Sequence, residues 1–86
     1  MSRLPHADSS AVRYHESANR LAEARHASGT TQVELARRWG RAQSQVARVE
    51  RSPVGSLTLR TLQSYVDALG GSCRIFVDID GHRFEL

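Results

Sequence analysis

Residues Thr31 to Glu50 read TQVELARRWGRAQSQVARVE. Apolar residues recur at helical spacing on both sides of one glycine, Gly40. Because glycine adopts a left-handed conformation without steric cost, Gly40 predicts the end of one helix and a sharp turn into the next. Thr31 and Glu34 have the spacing of a capping box, which marks the start of the first helix. The inward residues of that helix are then Leu35, Ala36 and Trp39. The stretch predicts two short helices joined by a tight turn.

The second of these helices has two different faces. Val46 and Val49 fall on the inner face. The opposite face carries Gln43, Ser44, Ala47 and Arg48. Glutamine suits the edge of adenine, arginine suits guanine, and serine suits either base. An ordinary solvated helix face is the alternative interpretation, but the pattern favours a helix that lies in a DNA major groove. These four exposed residues are the predicted base contacts.

Residues 16–71 resemble the helix-turn-helix domain of the Cro/C1-type (Xre) family, because several residues match the family pattern in order and spacing. The matching residues are Thr31-Gln32, Leu35-Ala36, Gly40, Gln43-Ser44, Val46, Arg48-Val49-Glu50, Leu62, Tyr65-Val66 and Ala68-Leu69-Gly70-Gly71. Within them, Thr61–Gly71 is similar to HigA-like and HipB-like antitoxins, which pair with RelE-like or HigB-like toxins in type II toxin–antitoxin systems. The resemblance implies a mainly α, lambda-repressor-like domain of four to five helices. It also implies a homodimer, a palindromic operator in double-stranded DNA and a cognate toxin protein.

The resemblance assigns roles to further residues. Gln32 resembles the family glutamine that bonds a phosphate and braces the first glutamine of the recognition helix. Arg60 resembles a position that faces the DNA backbone or minor groove in phage repressors. Glu50 resembles a carboxylate that pairs with an arginine of the first helix, here Arg25, and so orients the recognition helix. Phosphate contacts set register without carrying sequence information.

Arginines beside the two helices are further candidates for contacts to the DNA backbone, although charge runs are usually solvated faces. They are Arg37, Arg38, Arg41 and Arg51. Arg41 stands where the resembling family usually has an apolar residue, and Ala42 stands where it has a Ser or Thr cap. Alanine is a poor N-cap, at a cost of about 1 kcal/mol. We therefore expect the start of the recognition helix to fray until DNA binds, and Arg41 to point outward, close to phosphates.

Length and charge indicate one small domain with a polyanionic partner. The chain has 86 residues and a net charge of +3. The positive excess lies in residues 16–51, which hold seven arginines against four glutamates, whereas residues 72–86 hold two arginines against three acids. The core of so short a chain is marginal, so burying more surface in a dimer would help.

Other classes of protein are disfavoured. No apolar run approaches the roughly 18 residues of a membrane span, and the N-terminus lacks a secretory core. Cys73 is the only cysteine, which excludes an internal disulfide and fits a reducing cytoplasm. We expect a cytoplasmic protein that associates with the nucleoid when bound to its operator. The four histidines lack metal-binding spacing and no catalytic motif frames the polar residues, so no metal, no cofactor and no enzymatic activity are expected.

The pattern divides the chain into three parts: a flexible tail at residues 1–9, a DNA-binding domain at 10–71 and a C-terminal hairpin at 72–86. We expect a long first helix capped by Asp8, Ser9 or Ser10. It would run through Val12, Ala18, Leu21, Ala22 and Arg25 to Ser28-Gly29. A loop at residues 51–56 would precede a fourth helix from Thr58 to Leu69. Its predicted inward stripe is Leu59, Leu62, Val66 and Leu69.

The last fifteen residues change to a period of two, which predicts strands, and Asp80-Gly81 is a type I′ hairpin pattern. A two-residue turn would set Val77 opposite Phe84, Ile75 opposite Leu86 and Asp78 opposite Arg83. The apolar face needs a cover, either the first and fourth helices of the same chain or the same segment of a second chain. A lone hairpin has an unpaired edge, and DNA binding needs twofold symmetry, so we favour the second. The predicted dimer interface is Ile75, Val77, Ile79 and Phe84.

Together these patterns favour a dimeric, sequence-specific DNA-binding repressor, and within that class an antitoxin that autoregulates a toxin–antitoxin operon. A stand-alone Xre-type transcriptional regulator is the first alternative. The second is a protein-interaction module whose DNA face is vestigial, which the retained Gln43, Ser44 and Arg48 disfavour. A short, basic toxin reading frame beside the gene would separate the antitoxin from the stand-alone regulator.

Overall fold

Four α-helices followed by a two-stranded antiparallel sheet make up residues 19–86, the part of the chain that the computed structural model describes. The elements are α1 (Leu21–Ala27), α2 (Gln32–Trp39), α3 (Gln43–Arg51), a short 3-10 helix (Val54–Ser56), α4 (Leu59–Ala68), β1 (Phe76–Ile79) and β2 (His82–Glu85). This architecture confirms the predicted mainly α fold with a C-terminal hairpin. Among residues 19–86, no helix is long and apolar enough to cross a membrane.

The first helix differs from the prediction. Within the described residues it begins at Leu21, and neither Asn19 nor Arg20 is helical. The side-chain oxygen of Asn19 accepts the backbone N–H of Leu21 at 2.9 Å. Asparagine competes with a helix by bonding nearby backbone groups, so it favours a boundary here over a continuous helix. The predicted tail, the caps at Asp8, Ser9 and Ser10, and the helical positions Val12 and Ala18 lie outside the described residues.

The turn between α2 and α3 forms as the sequence predicts. The hydroxyl of Thr31 accepts the backbone N–H of Glu34 at 3.1 Å, and the Glu34 carboxylate accepts that of Thr31 at 2.8 Å, which completes the capping box. Gly40 has a φ of 73°, in the left-handed region. α3 begins after Ala42, whose side chain supplies no cap. Local hydrogen bonds thus define the start of α2, and the left-handed Gly40 ends that helix before α3 begins.

The core lies where α2 meets α3 and α4. Its fully buried side chains are Leu35, Val46 and Tyr65. Tyr65 stands in the middle of α4 and was not among the predicted inward residues. Leu59 was predicted to face inward, and this is wrong, because it is 48% exposed. Leu59 is the first residue of α4, where the helix extends past the small core, and Tyr65 fills the centre in its place.

The C-terminal hairpin has the predicted turn and register. Asp80 and Gly81 both have positive φ angles, 51° and 78°, as a type I′ turn requires. Val77 pairs with Phe84 and Asp78 pairs with Arg83. Beyond the strands, the backbone N–H of Leu86 donates to the carbonyl of Ile75 at 2.9 Å. Ile75, Val77, Ile79, Phe84 and Leu86 therefore share one face, and Phe76 lies on the other.

Candidate nucleic-acid interface

α3 is amphipathic, and its burial determines which side chains reach solvent. Val46 is fully buried and Glu50 is 7% exposed, so this face lies against the core. Gln43, Ser44 and Arg48 are exposed, and Ala47 is half-buried between them. All four predicted base-contact residues therefore lie on the outer side of the helix, with Ala47 deepest. Three of these four side chains are polar, and Arg48 is the cationic one among them.

A buried ion pair joins α1 to α3. Arg25 donates to both carboxylate oxygens of Glu50, from Nε to Oε2 at 2.7 Å and from Nη2 to Oε1 at 3.0 Å. The two side chains are only 7% and 5% exposed. Arg25 also donates from Nη1 to the backbone carbonyl of Thr30 at 3.0 Å, which ties the α1–α2 turn to the same group. This pair fixes α3 at its C-terminal end, as the resemblance led us to expect.

Two further side chains donate hydrogen bonds to the Glu50 carboxylate. The hydroxyl of Tyr65 donates to Oε2, and Nε2 of Gln32 donates to Oε1 at 3.0 Å. The side-chain oxygen of Gln32 in turn accepts a hydrogen bond from Nε2 of Gln43 at 3.3 Å. A chain of hydrogen bonds therefore runs from the buried carboxylate, through Gln32, to the first exposed residue of α3. Gln32 therefore positions Gln43, and Glu50 positions Gln32.

The charge state of this network follows from its surroundings. Burial acts to raise the pKa of Glu50, but hydrogen bonds from Arg25, Tyr65 and Gln32 outweigh it and leave that pKa below its ordinary value. Burial, together with the hydrogen bond to Glu50, raises the pKa of Tyr65. The hydrogen bond to Glu50 raises the pKa of Arg25. At neutral pH the carboxylate is therefore ionised, and Tyr65 and Arg25 both remain donors.

Asn19 is a supporting residue that the sequence analysis missed. Its side-chain amide donates to the backbone carbonyls of Val49 at 2.7 Å and Ser52 at 2.6 Å. Asn19 thus connects the end of α3 to the start of α1, where its side-chain oxygen accepts the backbone N–H of Leu21. An asparagine before a helix indicates a local cap. Nothing in the sequence indicated partners thirty residues away.

The candidate backbone-contact arginines are all exposed. They are Arg37, Arg38, Arg41, Arg51 and Arg60, and Gln32 is half-buried beside them. Within residues 19–86, none of these arginines has a carboxylate within salt-bridge distance. Arg41 differs from the others because its guanidinium carbon lies 4.7 Å from the centre of the Trp39 ring. Within the described residues, these exposed arginines therefore have no ion-pair partner, and such arginines can neutralise phosphates.

The predicted dimer residues occupy the apolar face of the hairpin. Ile75 and Val77 are half-buried, whereas Ile79 is 59% and Phe84 is 52% exposed. The opposite face carries Phe76, which lies between two arginines that form ion pairs with acidic residues of the hairpin. Within residues 19–86, no helix packs extensively against either strand. The described part of the chain therefore leaves the apolar face largely uncovered.

Comparisons with known proteins bear on the same region. Two relatives from Mycobacterium tuberculosis (strain ATCC 25618 / H37Rv) are similar in sequence. "Putative antitoxin HigA2" is 41% identical over 67 residues, which are 78% of this chain and 66% of that protein. "Putative antitoxin HigA3" is 40% identical over 70 residues, which are 80% of this chain and 64% of that protein. The chain thus matches slightly less than two thirds of the length of these curated relatives.

Two solved structures share the fold at 39% sequence identity. The structure described as "Induced DNA bending by unique dimerization of HigA antitoxin" aligns with a TM-score of 0.69. The alignment covers 77% of this chain and 88% of the chain in that structure. The structure described as "DNA bound antitoxin HigA3" aligns with a TM-score of 0.72. The alignment covers 81% of this chain and 91% of the chain in that structure. The helix-turn-helix family model (HTH_3) matches residues 21–76, from the start of α1 to the first residue of β1. The chain therefore belongs to the helix-turn-helix family.

Proposed function

We propose that this protein is a sequence-specific DNA-binding repressor and the antitoxin of a type II toxin–antitoxin operon whose promoter it autoregulates. It binds a palindromic operator as a homodimer, with α3 of each subunit in the major groove. Gln43, Ser44, Ala47 and Arg48 contact base edges. Contacts to the DNA backbone come from Gln32, Arg38, Arg41, Arg51 and Arg60. The protein acts without catalysis or a cofactor, in the cytoplasm, and associates with the nucleoid when bound.

One observation carries the proposal. The outer face of α3 is polar and cationic, and its first residue, Gln43, is braced by Gln32, which is braced by the buried Glu50. A solvated helix face with no function would not require two successive hydrogen bonds, between Glu50 and Gln32 and between Gln32 and Gln43, to hold its first residue in place. Side chains held in place before binding lose less conformational entropy when they meet a base or a phosphate. The brace is therefore what a base-reading helix needs.

The comparisons support the finer parts of the proposal. Both curated relatives carry the name antitoxin, and one similar solved structure is described as bound to DNA. Dimerisation appears in the description of the other solved structure. A twofold dimer places two recognition helices about one DNA turn apart, roughly 34–36 Å, which matches an inverted-repeat operator. We assign the apolar face of the hairpin, with Ile75, Val77, Ile79 and Phe84, to the dimer interface.

The direct test is to select binding sites from random duplex DNA and to measure affinity for the selected site. We expect an inverted repeat that also occurs upstream of the gene. Replacing Arg48 with alanine should cost about 1–3 kcal/mol on that site and relax the preference at one base pair in each half-site. Arg20→Ala is the matched control, because Arg20 is exposed and already paired with Glu23 at 3.1 Å.

Equal losses on the selected site and on random DNA would contradict a base-reading role for Arg48. If the wild-type protein enriched no site at all, the DNA face would be vestigial and the repressor proposal would fail. Co-expression with the product of a short, basic neighbouring reading frame tests the antitoxin role. Growth should be rescued from that toxin, and the two proteins should co-purify. A bound operator without any such neighbour would favour the stand-alone regulator.

A further inference from the structure

Arg41 and Trp39 form a stacked pair at the edge of the α2–α3 turn. The Arg41 guanidinium carbon lies 4.7 Å from the centre of the Trp39 ring. Arg41 is exposed, and among residues 19–86 no carboxylate lies within salt-bridge distance of it. An exposed arginine without a partner usually samples many rotamers. A stack on an aromatic face restricts that freedom at a gain of about 0.5–1 kcal/mol.

The ring beneath Arg41 is itself fixed to the core. The indole N–H of Trp39 donates to the hydroxyl of Ser64 on α4. Its ring meets the ring of Tyr65 edge to face, with centroids 5.5 Å apart and planes at 87°. Tyr65 is fully buried and also holds Glu50, the residue that orients α3. Because one buried residue touches both systems, the platform for Arg41 and the orientation of the recognition helix are connected.

The backbone of Arg41 is fixed as well. Its N–H donates to the carbonyl of Ala36 at 3.0 Å, across the tight turn at Gly40. Stacking covers one face of the guanidinium, but its five N–H donors lie in the plane of the group and stay available to an acceptor. Arg41 and Arg48 also line the same depression between α3 and α4. The free donors of Arg41 therefore lie beside the face that carries the base-contact candidates.

We propose that Trp39 is a positioning residue that holds Arg41 for contact with a DNA phosphate. The inference rests on the proposed DNA-binding function and deepens it. The outer face of α3 then has two braced edges, Gln43 held by Gln32 on one side and Arg41 held by Trp39 on the other. Because the second contact is to a phosphate, it sets the position of α3 on the duplex and carries no base preference.

The salt dependence of operator binding tests this contact. Each phosphate neutralised on duplex DNA contributes about −0.9 to the slope of log affinity against log salt. A dimer carries two copies of Arg41, so Arg41→Ala should make the slope shallower by about 1.8. The affinity advantage of the wild type over the variant should then shrink about tenfold between about 50 and 200 mM salt. Base preference in the selected site should stay unchanged, and Arg20→Ala should leave the slope unchanged.

The role of Trp39 is tested by measuring the effect of Arg41→Ala both in the wild type and in a Trp39→Phe protein. Trp39→Phe keeps an aromatic ring for core packing but offers a weaker cation–π surface. Arg41→Ala should therefore cost less operator affinity in the Trp39→Phe protein than in the wild type. Trp39 is the only tryptophan in the chain, so its fluorescence reports directly on this site. Adding operator should change that emission, and Arg41→Ala should remove most of the change while Arg20→Ala preserves it.

The possible failures are distinct. A wild-type protein that binds no specific site contradicts the proposed function as a whole. Specific binding with an unchanged salt slope in Arg41→Ala overturns the phosphate contact alone. A reduced slope combined with equal costs of Arg41→Ala in both Trp39 backgrounds overturns the positioning role of Trp39.

Discussion

The helix-turn-helix body (residues 19–71) and the hairpin (residues 72–86) use ion pairs in opposite ways. In the body, the Arg25–Glu50 pair is buried, with side chains 7% and 5% exposed. In the hairpin, the carboxylates of Asp78 and Glu85 meet arginines on a solvated face and are 61% and 44% exposed. Exposed pairs contribute little to stability, whereas breaking a buried pair costs about 3–5 kcal/mol. The body therefore depends on its ion pair, and the hairpin does not.

The burial of apolar side chains also differs between the two regions, and it is again greater in the body. The body buries Leu35 and Val46 completely. The hairpin leaves Ile79, Phe84 and Leu86 more than half exposed in the described part of the chain. An isolated hairpin is marginal in water, so its apolar face is a surface for association. The body is held by its own contacts, and we propose that the hairpin is held by contacts with a second copy of the chain.

The largest expected effect comes from removing residues 72–86. The truncated protein should remain helical but become largely monomeric, because the dimer interface is lost. Operator affinity should fall about 10²–10⁴-fold, since two linked recognition helices bind far more tightly than one. Sedimentation velocity and circular dichroism measure the assembly and the fold, and mobility shifts measure the affinity.

Two phenylalanines on opposite faces of the hairpin provide the matched point variants. Phe84→Ser, on the apolar face, should dissociate the dimer, whereas Phe76→Ser, on the arginine-lined face, should leave it intact. If the truncated protein still sedimented as a tight dimer, the interface would have to lie on the helices, and the hairpin would be free for a toxin.

The next largest effect concerns the buried pair of the body. Glu50→Gln leaves the Arg25 guanidinium charged and buried without a counterion, so the free energy of unfolding should fall by about 3 kcal/mol. The double variant Arg25→Met, Glu50→Leu replaces both charges by apolar groups and should lose less. Urea unfolding of the wild type, Arg25→Met, Glu50→Leu and the double variant, at one fixed protein concentration, gives all four corners of the mutant cycle. Strictly additive changes would refute the mutual support of the two residues.

Acid should weaken the body through the same carboxylate. The pKa of Glu50 is lowered in the folded protein, so its contribution to stability is present above the ordinary value of 4.5 and is lost as pH falls through the lower folded value. The stability advantage of the wild type over Glu50→Gln should therefore narrow as pH drops below 4.5. Glu23→Gln is the control, because Glu23 is exposed in its pair with Arg20 and that pair should contribute little at any pH. A wild-type advantage that stayed constant down to the acid transition would argue against an ionised Glu50.

The smallest expected effect is a gain. Ala42 is the N-cap of α3 and makes no capping hydrogen bond, so Ala42→Ser should stabilise the body by about 1 kcal/mol. Thermal unfolding measures this change. Ala24→Ser, at an exposed interior position of α1, should instead destabilise slightly, because serine is a weaker helix former than alanine. An equal response at the two positions would show that α3 gains nothing from a cap.

The parts of the fold that sequence reasoning predicted are those decided by neighbours along the chain. The capping box joins Thr31 and Glu34, three residues apart. The hairpin register follows from the turn at Asp80-Gly81, because a two-residue loop leaves only one alternation of inward and outward side chains. Such contacts form from short segments, and the residue types that they require are visible as spacings.

Contacts between distant residues were beyond that reasoning unless the family resemblance implied them. The Arg25–Glu50 pair was expected on that ground alone. Asn19 was missed, although its amide holds the carbonyl of Ser52, 33 positions away. Tyr65 was missed as the centre of the core, because a helical stripe does not tell which of its residues meets the other helices. Leu59 was placed inward by the same stripe, which continues past the edge of the small core.

By itself, the sequence determined the two helices and the turn at Gly40, the outer face of α3 and the hairpin with its apolar side, since each follows from backbone preferences and periodicity. How these pieces support one another depends on the packing of the helices in the folded chain. This packing brought Tyr65 to Glu50 and Arg41 onto Trp39, whereas the contact of Gln32 with Gln43 was already implied by the family resemblance. The physical reason is that spacing specifies which way a side chain points from its own element, whereas a partner on another element is selected by how the helices pack.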